Sequence, residues 1–202
     1  MIKINPLVLV LTLLFASCQK EDEPTIEEPT IEEQLGYNML LMGHSFFKNY
    51  AHRIGEIALD AGFVNHTQTV VFSSGASGFP INLWNDTGVD NQYIKAILDN
   101  GDVDLFGMVA DTRLLPDESL AGHRYWIDYA IQNNPEVAIF LSISSPSNPL
   151  QWVQMAEALG YATVQDAYYA HINQDCHAAL IDTLRAEFPS TNIFSIPTGK
   201  AS

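Results

Sequence analysis

The chain has 202 residues, 9 Lys and Arg against 24 Asp and Glu, a formal charge of −15 and two cysteines. With 47% hydrophobic and 10% aromatic residues it can bury a substantial core, which excludes global disorder and a disulfide-stapled miniprotein. Acidity on this scale repels nucleic acid and anionic lipid headgroups, so a nucleic-acid partner and a polybasic membrane patch are excluded too.

Residues 1–18 read as a leader. Lys3 gives a small positive start, Pro6 to Phe15 is an apolar run too short to span a bilayer, and Ala16-Ser17-Cys18 places small residues before a cysteine. The segment resembles a bacterial lipoprotein signal with its lipobox, although Phe15 stands where such boxes usually carry an aliphatic residue. The resemblance implies that Cys18 becomes an acylated first residue, anchoring the protein to the outer membrane at the cell surface or in the periplasm. Gln19 to Gln34 then carries seven carboxylates, one Lys and two copies of Pro-Thr-Ile-Glu-Glu. Such a stretch repels itself and cannot bury a core, so 19–35 is expected to be an extended tether. An acidic run after the lipidated Cys resembles the surface-export signals of Bacteroidetes lipoproteins. The domain proper, 36–202, still carries 17 acidic and 7 basic residues.

From Gly36 onward strands and helices alternate. Tyr37 to Gly43 is an apolar run suited to a central strand, and Ser45 to Ala61 has helical spacing with Gly62 as its stop. Thr67 to Ser73 is the second predicted strand, Asn91 to Leu98 a helix, Val103 to Val109 the third strand, and Leu120 to Gln132 a helix. Val137 to Ile143 is the fourth strand, Val164 to Phe188 one or two helices, and Asn192 to Ile196 the fifth strand. Five strands joined by crossover helices predict an α/β fold: a three-layer, doubly wound parallel sheet with its site at the carboxyl ends of the strands.

The loop leaving the first strand, Gly43-His44-Ser45-Phe46-Phe47, puts a hydroxyl at a helix N-terminus, where N–H groups and the helix dipole favour a developing oxyanion. Ser45 reads as a nucleophile or as a plain N-cap. The second strand exits into Ser73-Ser74-Gly75-Ala76-Ser77-Gly78-Phe79-Pro80, whose glycines permit close backbone approach. Gly-x-Ser after strand one and Gly-x-Ser-Gly after strand two resemble the first two blocks of the SGNH (GDSL-like) hydrolases. That resemblance implies a flavodoxin-like fold, cleavage of acyl esters on lipids or sugars, Ser45 as nucleophile, the N–H groups of Ser45 and Gly78 as oxyanion donors, and no cofactor or metal.

The chain departs from that pattern in several places. His44 replaces the usual Asp between Gly and Ser and, adjacent to the nucleophile on a sharp turn, is a poor general base. The third block reduces to Gly107-Met108-Val109-Ala110-Asp111, with Asp111 where an Asn would donate. The family's Asp-x-x-His after the last strand has no counterpart, because Ile196 is followed only by Pro197 to Ser202. Three readings stay open: a chain truncated before its last helix, an internal base, or a domain that is not an enzyme. Truncation is the preferred expectation, since a doubly wound sheet covers both faces with helices.

Among internal histidines, His123 could face the cleft with Asp111 or Asp117, although a histidine entering a helix is ordinarily at the surface or capping. His66 falls at the amino edge of the sheet, His52 within the first helix, and His171 with Asp175 at helical i,i+4 spacing reads as an exposed polar face. Cys176 sits on an apolar stripe and reads as a buried thiol. Asn82, Trp84 and Asn85 flank the second loop, where an indole with nearby amides suits a sugar, although Trp84 equally suits packing under its own loop; Trp152 could form the opposite wall. The expected function is a surface or periplasmic serine esterase removing acyl groups, acetyl above all, from carbohydrate or related small-molecule esters. The alternative is an inactive lipoprotein of the same fold that binds glycans or a partner protein.

Overall fold

The apolar run Asn38–His44 forms β1, buried on both faces as an interior strand of a parallel sheet must be. The computed structural model describes residues 34–110, 116–143, 149–167, 170 and 177–196. In it β1 pairs in parallel with β2 (Thr67–Ser73) on one side and β3 (Leu105–Ala110) on the other. β4 (Ala138–Ile143) and β5 (Ile193–Ile196) complete a five-stranded, all-parallel sheet in the order β2-β1-β3-β4-β5. The reversal of strand order between β1 and β3 makes the carboxyl ends of these strands the topological switch point, where such sheets place their ligands.

Side chains alternate across this sheet and feed two apolar layers. Met39, Leu41, Val109 and Phe140 pack under α1 (Ser45–Asp60) through Phe47 and Ala51. On the opposite face Leu40, Met42, Phe106, Met108, Ile139, Leu141 and Ile193 meet three helices: α3 (Val89–Asp99), α4 (Pro116–Asn133) and α7 (Ala179–Glu187). Gly107 lets β3 pass beneath Phe140, since a Cβ there would lie 2.3 Å from that ring. Arg124 of α4 and Glu187 of α7 form an ion pair, and the guanidinium holds the carboxyl below its usual range.

All five predicted strands are present within two residues of their expected bounds. Two helices were not expected. α2 (Pro80–Asn85) begins with Pro at its first turn, a favourable position because that N–H has no helical partner in any case. Its Ser, Gly and Pro neighbours read as loop, but tertiary contacts hold it: Trp126 Nε1 donates to Pro80 O at 2.9 Å, and Asn91 Nδ2 donates to Leu83 O and Trp84 O at 2.8 and 3.0 Å. Gly122 makes the close crossing of α4 over α2 possible, as a Cβ would meet Ile81 N at 2.3 Å. α5 (Pro149–Leu159) lies between the fourth strand and residue 164, a stretch for which the sequence pattern offered no element. The one or two helices expected over 164–188 are represented by α6 (Val164–Ala167) and α7.

The described residues fall within one unit, Glu33–Ser202. Gln34 and Leu35, expected in the tether, already pair with Val64: Val64 N donates to Gln34 O at 3.0 Å, and Leu35 forms a parallel bridge with Val64. Cys18, the expected leader and the rest of the tether lie outside the described residues, as do Asp111, His171, Asp175, Cys176 and the segment after Ile196. Among the described residues no helix is long and apolar enough to cross a membrane.

Candidate functional site

The turn from β1 into α1 is built by His44, the N-cap. Its backbone is extended, φ −99° and ψ 179°, and its Nδ1 accepts the Phe46 N–H at 3.2 Å. The ring is buried and stands edge-on to Phe46 and Phe79, with centroids 5.9 and 5.4 Å away. With His44 taking the cap, Ser45 is not an N-cap: it occupies the first helical position, exposed, at the positive end of a helix 16 residues long.

Beside it lies the loop leaving β2, wound into a 3-10 turn over Gly75–Gly78. Gly75 takes φ +56°, the left-handed region that glycine occupies without penalty. Gly78 is buried against the β1 turn: a Cβ there would lie 2.5 Å from both Gly43 O and His44 Cα, and 2.6 Å from Ser73 O. Only a glycine fits that contact, so the two Gly-containing blocks meet in space. As the last residue of a 3-10 turn, Gly78 directs its N–H back along the turn, and donation to a substrate oxygen requires that turn to loosen. Asn82 fastens the turn to α2 through Nδ2 to Ala76 O at 2.7 Å, and Asn85 is exposed at the end of α2.

Trp84 turns away from this loop. It stacks on Tyr125 (5.3 Å, 25°) and meets Trp126 and Tyr129 edge-on, with Lys95 Nζ 4.2 Å from its ring centre. Its ring therefore packs against α4 and under Lys95 of α3, away from the Gly78 turn. Trp152 falls in α5.

His123 is fully buried, against the expectation of a surface or capping histidine. It shares the apolar stripe of α4 with Trp126 and Ile127, and its Nδ1 lies 2.6 Å from Ser119 O while Nε2 is buried without a partner. Burial pushes its pKa down to about 4, with the Ser119 and Val109 carbonyls only partly offsetting the loss of solvent. No hydrogen bond joins it to Ser45 among the described residues. His66 accepts the Tyr37 N–H at the amino edge, as its position before β2 implied, and His52 is exposed on α1.

His177, which the sequence places only on another face from His171 and Asp175, lies just before α7. It is 5% exposed, with Nε2 3.1 Å from Ser195 Oγ, Nδ1 buried and unpartnered, and a pKa lowered to about 4 by burial and by the nearby His123. Nothing in the spacing of positions 123, 177 and 195 could have joined them. Among the described residues no group of three or more His, Cys, Asp or Glu could hold a metal ion.

No protein-family model and no curated protein matches the sequence. Among solved structures, the lipopolysaccharide acetyltransferase periplasmic domain of Salmonella ser. Paratyphi A is similar over 82% of this chain and 68% of its own. The identity is 11% and the TM-score 0.50. An active-site mutant of a family two carbohydrate esterase from Clostridium thermocellum is similar over 82% of this chain at 12% identity, with a TM-score of 0.44; the chain spans 55% of its length. The strand order and the first of these similarities establish a flavodoxin-like, doubly wound α/β fold for the domain.

Proposed function

We propose that the domain is a serine esterase of SGNH type acting on acyl esters of carbohydrate, acetyl esters above all. The observation that carries this reading is the contact of Gly78 with the Gly43-His44 backbone, which sets the second glycine block beside an exposed serine at a helix N-terminus. In the proposed reaction Ser45 Oγ attacks the acyl carbonyl and yields its proton to a base, and the carbonyl oxygen gathers charge facing the Ser45 N–H at the start of α1. The Gly78 N–H is the second donor once its turn loosens. Collapse expels the sugar hydroxyl with a proton from the base and leaves acyl-Ser45; water then releases the acid. Asn82 and Asn85 are assigned to the acyl-acceptor side, as is Asp111, the residue that follows β3 in sequence. The described histidines do not supply the base: His44 is a cap, His123 and His177 are buried away from solvent, and His52 and His66 lie elsewhere. The base is therefore assigned to a residue outside those described.

The name of the first similar structure, a lipopolysaccharide acetyltransferase domain, supports acyl transfer on glycans as the chemical class. The leader and acidic tether support placement outside the cytoplasm, lipid-anchored through Cys18.

A second reading, an inactive SGNH-like lipoprotein that binds glycans or a partner protein, is favoured by the burial of His123 and the absence of a bond from it to Ser45. A fluorophosphonate probe separates the two. Labelling that disappears in Ser45→Ala is the result expected of the esterase, and a folded protein that resists labelling sinks it.

A further inference from the structure

We propose that the groove between α3 and α4 is a carbohydrate-binding site separate from the Ser45 turn, taking a neutral pyranose unit of a polysaccharide. The groove has a volume of about 390 Å³ and is lined by Trp84, Lys95, Tyr125, Asp128, Tyr129 and Gln132. That volume falls within the range of small-ligand sites. None of these residues belongs to the loops after β1 and β2 that carry Ser45 and Gly78.

The lining combines an aromatic platform with hydrogen-bonding groups. Tyr125, stacked on Trp84, is 45% exposed and offers an open ring surface to the apolar C–H face of a sugar. Around it stand an ammonium, a carboxylate and an amide from Lys95, Asp128 and Gln132, which suit hydroxyl groups in both donor and acceptor roles. Lys95 is held over Trp84 by cation–π attraction and forms no ion pair among the described residues, nor does Asp128. One cation and one anion leave the groove without net charge on a chain of −15, so the ligand it complements is neutral and polyhydroxylated.

The platform is also set before any ligand arrives. Trp84 is wedged by Trp126 at 4.9 Å, and Tyr129 donates its hydroxyl to Asp99 at 2.6 Å, which raises its pKa to about 12. A site whose aromatic groups are already fixed loses little side-chain entropy on binding.

Affinity electrophoresis of the full chain tests the assignment, using gels containing hydroxyethylcellulose, lichenan or galactomannan as neutral polymers and polygalacturonate or heparin as anionic ones. The expected result is retardation by at least one neutral polymer, weakened tenfold or more in Tyr125→Ala and in Asp128→Ala, and retained in Ser45→Ala. Fluorophosphonate labelling of Ser45 stays unchanged in Tyr125→Ala, so failure of this site and failure of the esterase reading are separable. Absence of retardation by every neutral polymer overturns the proposal. So does retardation by the anionic polymers alone, or retardation that survives in a Tyr125→Ala variant whose thermal midpoint shows it folded. Self-association lost in Tyr125→Ala without any retardation overturns it in favour of a protein interface.

Discussion

His177 Nε2 and Ser195 Oγ meet at 3.1 Å on the face of the sheet opposite α1, one side chain from just before α7 and the other from β5. The groups facing this pair are His123 of α4 and, around His123, the carbonyls of Ser119 and Val109; no carboxylate contributes to either histidine's shift. Both imidazoles are therefore neutral in the fold, with pKa values of about 4 against an ordinary 6.5. Below pH 6.5 the unfolded chain takes up protons that the folded chain refuses, so their contribution to stability is complete above 6.5 and falls as pH drops towards 4. The urea midpoint should fall between pH 6.5 and 5, above the range where most carboxylates titrate. A His123→Leu variant should show a clearly shallower fall, and equal slopes in the two proteins would remove the buried pair as the cause.

Gly78→Ala should be among the most damaging single-methyl substitutions in the domain. The added carbon meets three backbone atoms at 2.5 to 2.6 Å, and backbone cannot step aside as a flexible side chain can. Overpacking of this kind costs about 1–3 kcal/mol. The thermal midpoint should drop by several degrees, whereas Gly62→Ala, where a Cβ meets nothing within 4 Å, should show only the smaller strain of its φ of +80°. Equal losses at the two positions would show that the β1 and β2 loops do not press together there.

The sheet was legible because strands buried in a parallel sheet write themselves as short apolar runs, and β1, β3 and β4 are such runs. The pairing of the Ser45 and Gly78 loops followed from topology, since neighbouring parallel strands bring their carboxyl ends side by side. The departures have local causes. Trp84 is close in sequence to Gly78, which left a cleft role and packing under its own loop equally open, but one turn of α2 carries its side chain to α4. His123 was expected at the surface although its spacing from Trp126 and Ile127 puts it on their buried stripe, a signal available in the sequence. His177 and Ser195 are joined only by the packing of α7 on β5, which no local pattern encodes.

His44→Ala should destabilise the domain by about 1 kcal/mol through loss of the α1 cap alone, with a further loss from the ring contacts to Phe46 and Phe79. His44→Asn restores a side-chain acceptor for the Phe46 N–H and should recover the cap contribution but not the ring contacts. Chemical denaturation of the three proteins tests the order wild type, Asn, Ala. An Asn variant no more stable than Ala would mean that the histidine serves here through packing only.

Asn91 anchors α2 from α3. It is 6% exposed, and its amide donates to both Leu83 O and Trp84 O, carbonyls at the end of a helix only six residues long. A helix that short has no stability of its own, so α2 depends on these bonds, on Trp126 Nε1 to Pro80 O, and on the Gly122 crossing. Asn91→Ala leaves two carbonyls without their donor at a cost of about 1–3 kcal/mol. Because Trp84 and Trp126 both sit on this junction, the loss should be visible as a shift in tryptophan emission and as faster amide exchange in residues 80–85. Asn91→Asp, which keeps the shape but replaces the donor by an acceptor, should be at least as damaging as Ala; a tolerated Asp would show that size, and not hydrogen bonding, fixes α2 in place.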